Sequence, residues 1–229
     1  MTRLSQLSWT EVPDRPTVLV PLGSFEQHGP HLPLDTDTRI ADAVAHAAAG
    51  RAGERRAGER RARRVVVAPP VVYAASGEHQ GFPGTMSIGT EALRFLLLEL
   101  VRSLTLWSGR VLLVNGHGGN VGCLPSVTAE LAREGRRADW IPCSPRGGDA
   151  HAGHTETSLM LHLAPELVDL KRAEAGNTTP VAQLMPAMLA GGVGAVAPNG
   201  VLGDPTTATA EEGARLFEEL VDRVEEALG

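Results

Sequence analysis

Short apolar runs alternate with longer amphipathic segments along the first 165 residues of the chain. Four of the runs are typical of buried strands, at residues 17–22, 64–69, 111–114 and 138–142. Apolar positions at helical spacing predict helices over residues 39–49, 91–108, 121–134 and 155–162, and Asp37 or Thr38 is expected to cap the first of them. Strands that alternate with helices of this length favour right-handed crossovers. The predicted fold is α/β, a three-layer α/β/α sandwich with a mostly parallel central sheet.

Two segments depart from this alternation. Residues 51–64 contain the sequence Arg-Ala-Gly-Glu-Arg twice in tandem, which we interpret as a solvated extension of a helix end. The alternative is a basic surface that docks a peptide or protein partner. Residues 191–200 hold too many glycines for a stable helix and are predicted to form a flexible loop near the functional site.

Composition narrows the class of protein. A chain of 229 residues is expected to fold as one compact domain, residues 1–229. The net charge of -6 gives no reason to expect nucleic acid or an anionic membrane as partner. The start lacks the apolar core of a signal peptide, which favours a cytoplasmic location. Cys123 and Cys143 are too few for a disulfide scaffold and are expected to be buried free thiols.

Histidines and carboxylates gather in short segments that follow predicted strands or begin predicted helices. The carboxyl ends of parallel strands are where open α/β sheets bind ligands. Imidazole and carboxylate donors without thiolates suit Zn, Mn or Fe, and a mixed set can hold two ions bridged by one carboxylate. The candidates are Glu26, His28, His31, Asp35, Asp37, Glu78, His79, His117, His151, His154 and Glu156.

Each candidate also has a purely structural interpretation. His28 and His31 could be satisfied core histidines, and Asp35 or Asp37 could simply cap a helix. Taken together, so many acids and imidazoles would carry a large desolvation cost without an ion to neutralise them. The chain has no HExxH helix, GxSxG turn, phosphate-binding loop or dinucleotide-binding glycine pattern. Metal-assisted hydrolysis is therefore the leading reaction class, and a closed structural metal site is its alternative.

Four motifs, in order over about residues 17–160, resemble the signatures of the creatininase family of metal-dependent amidohydrolases. They are residues 21–37, 77–85, 115–120 and 151–158. The resemblance implies two divalent ions per subunit, Zn and/or Fe with Mn as a third candidate, and a homo-oligomer, often a hexamer. It also implies that Glu26, His28, Asp37 and His117 are metal ligands, with Asp37 bridging the ions.

One position departs from the pattern of creatininase itself. That enzyme carries a ligand glutamate two residues after the histidine of the Asn-Gly-His turn, where this chain has Gly119. Glu156 is the natural substitute for the missing carboxylate. The departure argues against creatinine as the substrate.

Within the family, residues 32–41 and 149–161 are most similar to the mycofactocin-system peptidases. That likeness implies cleavage of a ribosomally made, radical-modified precursor peptide, which releases its C-terminal Val-Tyr-derived unit for redox-cofactor biosynthesis. His151 is then expected to protonate the leaving nitrogen, while Glu78 or His79 orients the substrate or supports the ligands. The alternatives are another amide or cyclic-amide hydrolase, such as a formamide deformylase of pterin or flavin biosynthesis, and a non-catalytic metal-binding maturation subunit that docks through the arginine repeat.

Overall fold

One parallel sheet forms the centre of the protein, seen here in a computed structural model that describes residues 3–55 and 64–229. Its strands are β1 (Thr17–Leu22), β2 (Val65–Val67), β3 (Arg110–Asn115) and β4 (Ala138–Pro142). The order is β2-β1-β3-β4, and every neighbouring pair is parallel. The chain adds β2 on one side of β1 and then β3 and β4 on the other. The order therefore reverses between β1 and β3, the place where doubly wound sheets bind ligands.

Helices cover both faces of the sheet. In the described ranges they are α1 (Thr36–Arg55), α2 (Gly89–Leu104), α3 (Leu124–Arg133), α4 (His154–Leu163), α5 (Val181–Gly191) and α6 (Ala210–Leu228). Side chains of α1, α4 and α6 share one apolar core, and those of α2 and α3 share the other. The predicted α/β/α sandwich is confirmed.

The apolar composition of the central strands follows from burial on both faces. All six residues of β1 are buried. Leu19 belongs to the core beneath α1, α4 and α6, whereas Val18 and Val20 belong to the core beneath α2 and α3. Leu112 and Leu113 of β3 divide in the same way. A strand enclosed on both sides needs apolar residues at every position, which explains the continuous runs in the sequence.

The start of α1 differs from the prediction. The helix begins at Thr36, so Asp37 and Thr38 lie in its first turn and the prediction that either caps it is wrong. Both side chains bond to Ser24 instead. The Ser24 hydroxyl donates to Asp37 Oδ2 at 2.9 Å, and the Thr38 hydroxyl donates to the Ser24 carbonyl at 2.9 Å. These bonds tie the start of α1 to the loop that follows β1.

Neither α5 nor α6 was predicted from the sequence. Thr209 caps α6, its hydroxyl accepting from the Glu212 amide at 3.1 Å, and α6 buries one face against α1 and α4. Residues 191–200 contain the end of α5, a short 3-10 turn at Val193–Ala195 and a loop. The Gly200 carbonyl accepts from the side chain of Gln27, so the end of this segment lies beside the chain that carries the candidates Glu26 and His28.

The arginine-rich repeat is described only at its two ends. Arg51 pairs with Asp222 of α6 at 2.8 Å and also with Glu218. Residues 56–63, on which most of the docking hypothesis depends, lie outside the described residues.

Two further observations concern the cysteines and membrane-spanning helices. Cys123 and Cys143 are both buried free thiols, as predicted. Across the described ranges, no helix combines the length and the apolar character that crossing a bilayer requires.

Candidate functional site

The candidate site lies at the carboxyl edge of the sheet, beside the point where the strand order reverses. The loop after β1 carries Glu26 and His28, and the first turn of α1 carries Asp37. His117 follows β3. The segment after β2 and the β4–α4 region supply the rest of the set. The structure brings together eight residues: Glu26, His28, Asp37, Glu78, His79, His117, His151 and Glu156.

Asp37 stands at the centre of this cluster. Its Oδ1 lies 3.1 Å from His28 Nε2, and its Oδ2 lies 3.1 Å from His117 Nδ1. Each carboxylate oxygen thus faces a different histidine. Glu156 Oε2 also approaches His28 Nε2, at 3.8 Å. A carboxylate whose two oxygens face different histidines can bridge two groups of ligand atoms.

Glu26 is a fully buried carboxylate without hydrogen-bond partners in the described part of the chain. It is 0% exposed, and neither of its oxygens has a hydrogen-bond partner among the described residues. Its Oε1 lies 3.2 Å from both His79 Nε2 and His117 Nδ1 and 3.7 Å from His151 Nδ1. Burial raises the pKa of its carboxyl to about 7. A carboxylate that is buried without donors fits a metal ligand, because a cation can supply the missing compensation.

Donor atoms within 4.8 Å of one another form three overlapping groups. Each group contains carboxylate oxygens and imidazole nitrogens only, the combination that suits Zn, Mn or Fe. The groups are Glu26, Asp37 and His117; His28, His151 and Glu156; and Glu26, His79 and His151. The side chains present therefore fit a pair of divalent ions.

Backbone carbonyls fix which nitrogen of two histidines faces the cluster. His28 Nδ1 donates to the Glu26 carbonyl at 3.0 Å, and His117 Nε2 donates to the Ala75 carbonyl at 3.1 Å. Since a carbonyl only accepts, the proton of each neutral ring sits on the outward nitrogen. The inward nitrogens, His28 Nε2 and His117 Nδ1, face Asp37, and each would offer its lone pair to an ion once its inward proton is lost. Outer hydrogen bonds of this type are typical of histidine metal ligands.

Gln27, which the sequence analysis did not single out, fixes the orientation of another ring. Its Oε1 accepts from the Gly29 amide at 2.8 Å, and its Nε2 donates to the Gly200 carbonyl at 3.0 Å. These two bonds show which end of the Gln27 amide is the nitrogen. One hydrogen of that nitrogen goes to Gly200, and the other can go to His79 Nδ1, which lies 2.9 Å from Gln27 Nε2. A neutral His79 that accepts this bond carries its proton on Nε2, facing Glu26. The inward nitrogen of His79 then lacks the lone pair that a metal ligand needs.

His151 has the opposite arrangement. Its Nε2 donates to the Gln27 main-chain carbonyl at 2.8 Å, so the neutral ring presents the lone pair of Nδ1 to the cluster. Burial, together with the nearby His28 and His79, holds the pKa of His151 well below its usual range. A neutral imidazole with an inward lone pair can accept a proton.

The other charges divide the cluster into a cationic and a neutral half. Burial opposes the charged form of His28, but Asp37 outweighs it and raises the His28 pKa to about 10. Burial lowers the pKa of His79 to about 3 and raises that of Glu156 to about 8. The carboxylates around His28 therefore favour a positive charge beside Asp37, as expected of a site that holds cations.

A strained turn positions His151 and Glu156. Ala152 adopts φ of 51°, which non-glycine residues rarely do, and its amide donates to Glu156 Oε2 at 2.6 Å. Asp149 holds the start of α4, because its Oδ1 accepts from the Thr155 amide at 3.0 Å. The turn thus places the substitute carboxylate predicted at Glu156 beside His28.

Gly119 has no space for a side chain. A Cβ there would lie 2.3 Å from the Ala75 carbonyl oxygen, 2.5 Å from His117 Nε2 and 2.6 Å from Glu78 Oε1. The glutamate that creatininase carries at this point cannot be accommodated in this arrangement. Glu78 fills the space, 3.5 Å from His117 Nε2.

Three of the candidates in the sequence lie outside the cluster. His31 is buried, and its Nε2 bonds to the Thr157 hydroxyl at 2.8 Å. Asp35 pairs with Arg39 at 2.7 Å, and His154 Nδ1 contacts Thr207 at 2.9 Å. None of the three belongs to the groups of donor atoms described above.

A cavity of about 700 Å³ opens from the cluster. Asp37, Glu78, His117 and Glu156 lie in its wall near the donor atoms. Four apolar residues of α5 form another part of the wall: Val181, Met185, Met188 and Leu189. The sequence analysis did not identify these four, because strand and helix patterns do not show which helix faces a cavity.

A buried set of carboxylates and imidazoles at the switch point of a parallel sheet defines a metal-dependent hydrolase. The sequence model of the creatininase family, described as creatinine amidohydrolase, matches residues 5–228. The chain therefore belongs to the creatininase family.

Individual relatives agree with this assignment. The chain is 58% identical over 207 residues to the mycofactocin precursor peptide peptidase of Mycobacterium ulcerans (strain Agy99), covering 90% of this chain and 82% of that protein. A crystal structure of a candidate creatinine amidohydrolase from Bacteroides fragilis NCTC 9343 is 27% identical with a TM-score of 0.80, covering 99% of this chain and 94% of that one. A mutant creatininase of the Zn-Zn type is 26% identical with a TM-score of 0.77, covering 98% and 96%.

Proposed function

We propose that this chain is a metal-dependent peptidase that cleaves the modified mycofactocin precursor peptide and releases its C-terminal Val-Tyr-derived unit. The observation that carries the proposal is the 58% identity to a mycofactocin precursor peptide peptidase over 90% of the chain. Identity to the zinc-containing creatininase is only 26%. The crowding at Gly119 also argues against the ligand arrangement of creatininase.

The proposed metal ligands form two sets that share Asp37. Glu26, Asp37 and His117 would hold one ion, and His28, Asp37 and Glu156 would hold the other. The two oxygens of Asp37, each 3.1 Å from a different histidine, support its role as the bridge. Zn and/or Fe fit the donors, with Mn as a third candidate. Bound divalent ions of this kind polarise a carbonyl and lower the pKa of water.

His151 is the proposed acid and base. The bond from its Nε2 to the Gln27 carbonyl leaves Nδ1 unprotonated and directed at the cluster, 3.7 Å from Glu26 Oε1. His151 would take up the proton released when water attacks the scissile amide, and then donate it to the leaving nitrogen.

Glu78 and His79 have supporting roles in this proposal. His79 Nε2 lies 3.2 Å from Glu26 Oε1, so the ring would limit the positions that this carboxylate can adopt. Glu78 lies in the cavity wall with 28% of its side chain exposed, and it would orient the bound peptide.

We also propose that the protein is a cytoplasmic homo-oligomer, with a hexamer as the family resemblance implies. Large apolar side chains on the surface support subunit contacts, since Trp9, Phe95 and Leu106 are 87%, 65% and 81% exposed. Light scattering on the purified protein measures the number of subunits.

The test is mass spectrometry of the modified precursor peptide incubated with purified protein, with and without a chelator. We expect chelator-sensitive release of the C-terminal unit. His151→Ala should lose at least a hundredfold in rate while its circular dichroism spectrum is unchanged. His154→Ala is the matched control, because that ring lies outside the cluster, and it should keep full activity.

Two results would overturn the proposal. A wild-type protein that holds metal but leaves the precursor intact would be a family hydrolase with another substrate, such as a formamide. A protein that leaves the precursor intact but binds a maturation partner, and loses that binding when the arginines of residues 51–64 are neutralised, would be a non-catalytic subunit.

A further inference from the structure

Helix α5 is apolar and yet not packed into a core. Its eleven residues, Val181–Gly191, include no charged side chain, and none of them is buried. Val181 is 41% exposed, Met185 42% and Leu189 80%. A helix that is apolar without being buried requires another molecule to cover it.

The geometry of the helix directs its apolar side chains at the cavity. Val181, Met185, Met188 and Leu189 follow helical spacing and therefore share one face. All four line the 700 Å³ cavity that also contains His151 and Glu156. We call these four residues the α5 wall. Because the wall and the reactive groups enclose the same space, a substrate bound at the cluster lies within reach of the wall.

The C-terminal end of α5 is fixed to the catalytic region. Gly192 caps the helix with φ of 71°, and a Cβ there would lie 2.7 Å from the Glu78 carbonyl oxygen. Only glycine permits this approach. Leu184 and Met188 also pack on a small apolar cluster that contains Val193. The wall is thus held beside the turn that carries Glu78 and His79.

The charges around the cavity restrict what can bind there. Within the described ranges, neither lysine nor arginine lines the cavity, whereas Asp37, Glu78, Asp149 and Glu156 do. The part of the cavity wall that α5 forms therefore offers no charged partner to an anionic group, whereas a neutral apolar group needs none. The cavity volume lies within the range of about 300–1,000 Å³ that encloses drug-sized ligands. Methionine side chains adapt to such groups and make favourable contacts with aromatic rings.

We propose that the α5 wall binds an uncharged apolar or aromatic side chain of the peptide, next to the bond that is cleaved. This inference rests on the proposed peptidase function, which it extends to substrate selection. The wall would determine which peptides bind and would take no part in the chemical step.

The first test does not depend on cleavage. The chain has five methionines, so labelling their methyl groups with carbon-13 gives a simple NMR spectrum. We expect N-acetyl-phenylalanine amide to shift the signals of Met185 and Met188 and to leave Met86 and Met160 unchanged. N-acetyl-glycine amide at the same concentration should shift none. Equal responses to both amides, or no response at Met185 and Met188, would overturn the proposal whether or not the precursor peptide is cleaved.

The second test uses kinetics with the precursor peptide. Met185→Ser should raise KM about tenfold and change kcat less than twofold, and Met185→Leu should restore KM. Met86→Ser is the control, since Met86 is 49% exposed and lies outside the cavity wall. An unchanged KM would contradict the inference.

A Met185→Ser protein with a smaller mass by light scattering and an unchanged KM would identify α5 as a contact between copies of the chain instead. If the wild type shows the methionine shifts in the first test but does not cleave the precursor, the proposed peptidase function is refuted and the α5 wall remains a binding surface.

Discussion

Replacing Glu26 by glutamine should stabilise the metal-free protein and at the same time weaken its response to metal. Glu26 is fully buried without a hydrogen-bond donor, and burial raises its pKa from 4.5 to about 7. At about 1.4 kcal/mol per pH unit, this difference corresponds to about 3 kcal/mol. That value is an upper limit for the gain, because the glutamine amide will also lack partners, at a smaller cost than a charge.

The sign of the effect depends on pH. A carboxyl group whose pKa is higher in the folded state is favourable when protonated and costs stability once it ionises. The cost is absent below about pH 4.5 and complete above about pH 7. Glu26→Gln should therefore exceed the wild type in stability at pH 8 and equal it near pH 4.

The assay is urea unfolding at pH 8 with a chelator and again with excess zinc. Glu78→Gln is the matched control, because that carboxyl has a lowered pKa and its neutralisation should give no gain. Zinc at about a thousand times its dissociation constant should stabilise the wild type by about 4 kcal/mol, and it should stabilise Glu26→Gln by less, because one of the two ligand sets has lost its carboxylate. A Glu26→Gln protein that is less stable than wild type without metal, or equally stabilised by zinc, would refute the reasoning.

Three further substitutions test separate parts of the structure. Gln27→Glu cannot donate to His79, so nitrogen-15 NMR should show the His79 proton moving from Nε2 to Nδ1; an unchanged tautomer would contradict the role of the amide. Gly119→Ala should weaken metal binding at least tenfold by titration, since its Cβ would meet the Ala75 carbonyl at 2.3 Å, and unaltered affinity would show that the turn adjusts. Thr209→Ala removes the cap of α6 and should lower the free energy of unfolding by about 1 kcal/mol with activity unchanged, whereas lost activity would place α6 in the site.

The sheet and the cluster could be predicted because both leave local marks in the sequence. Strands buried on two faces give continuous apolar runs, so β1 and β4 were predicted with their observed bounds. Each strand end is followed by a short segment with histidine or carboxylate, and parallel strands bring such segments to one edge. All eight residues proposed as ligands or catalytic groups meet there, although their roles are still proposals.

The parts that were missed depend on tertiary contacts. Gln27 acts through bonds to Gly29, Gly200 and His79, which come together only in the folded chain, and its position between Glu26 and His28 was the one available signal. Helix α5 lacks the polar face that marks a surface helix, since it borders a cavity. Helix α6 was missed even though its apolar positions follow helical spacing.

The central claim is that the cluster holds two metal ions bridged by Asp37. A crystal structure of the zinc-loaded protein, with anomalous diffraction recorded at the zinc edge, tests it most directly. The account predicts two anomalous peaks per chain, one beside Glu26 and His117 and the other beside His28 and Glu156, with a carboxylate oxygen of Asp37 bound to each. A single peak enclosed by four protein ligands, with no open position, would contradict it and indicate a structural metal site.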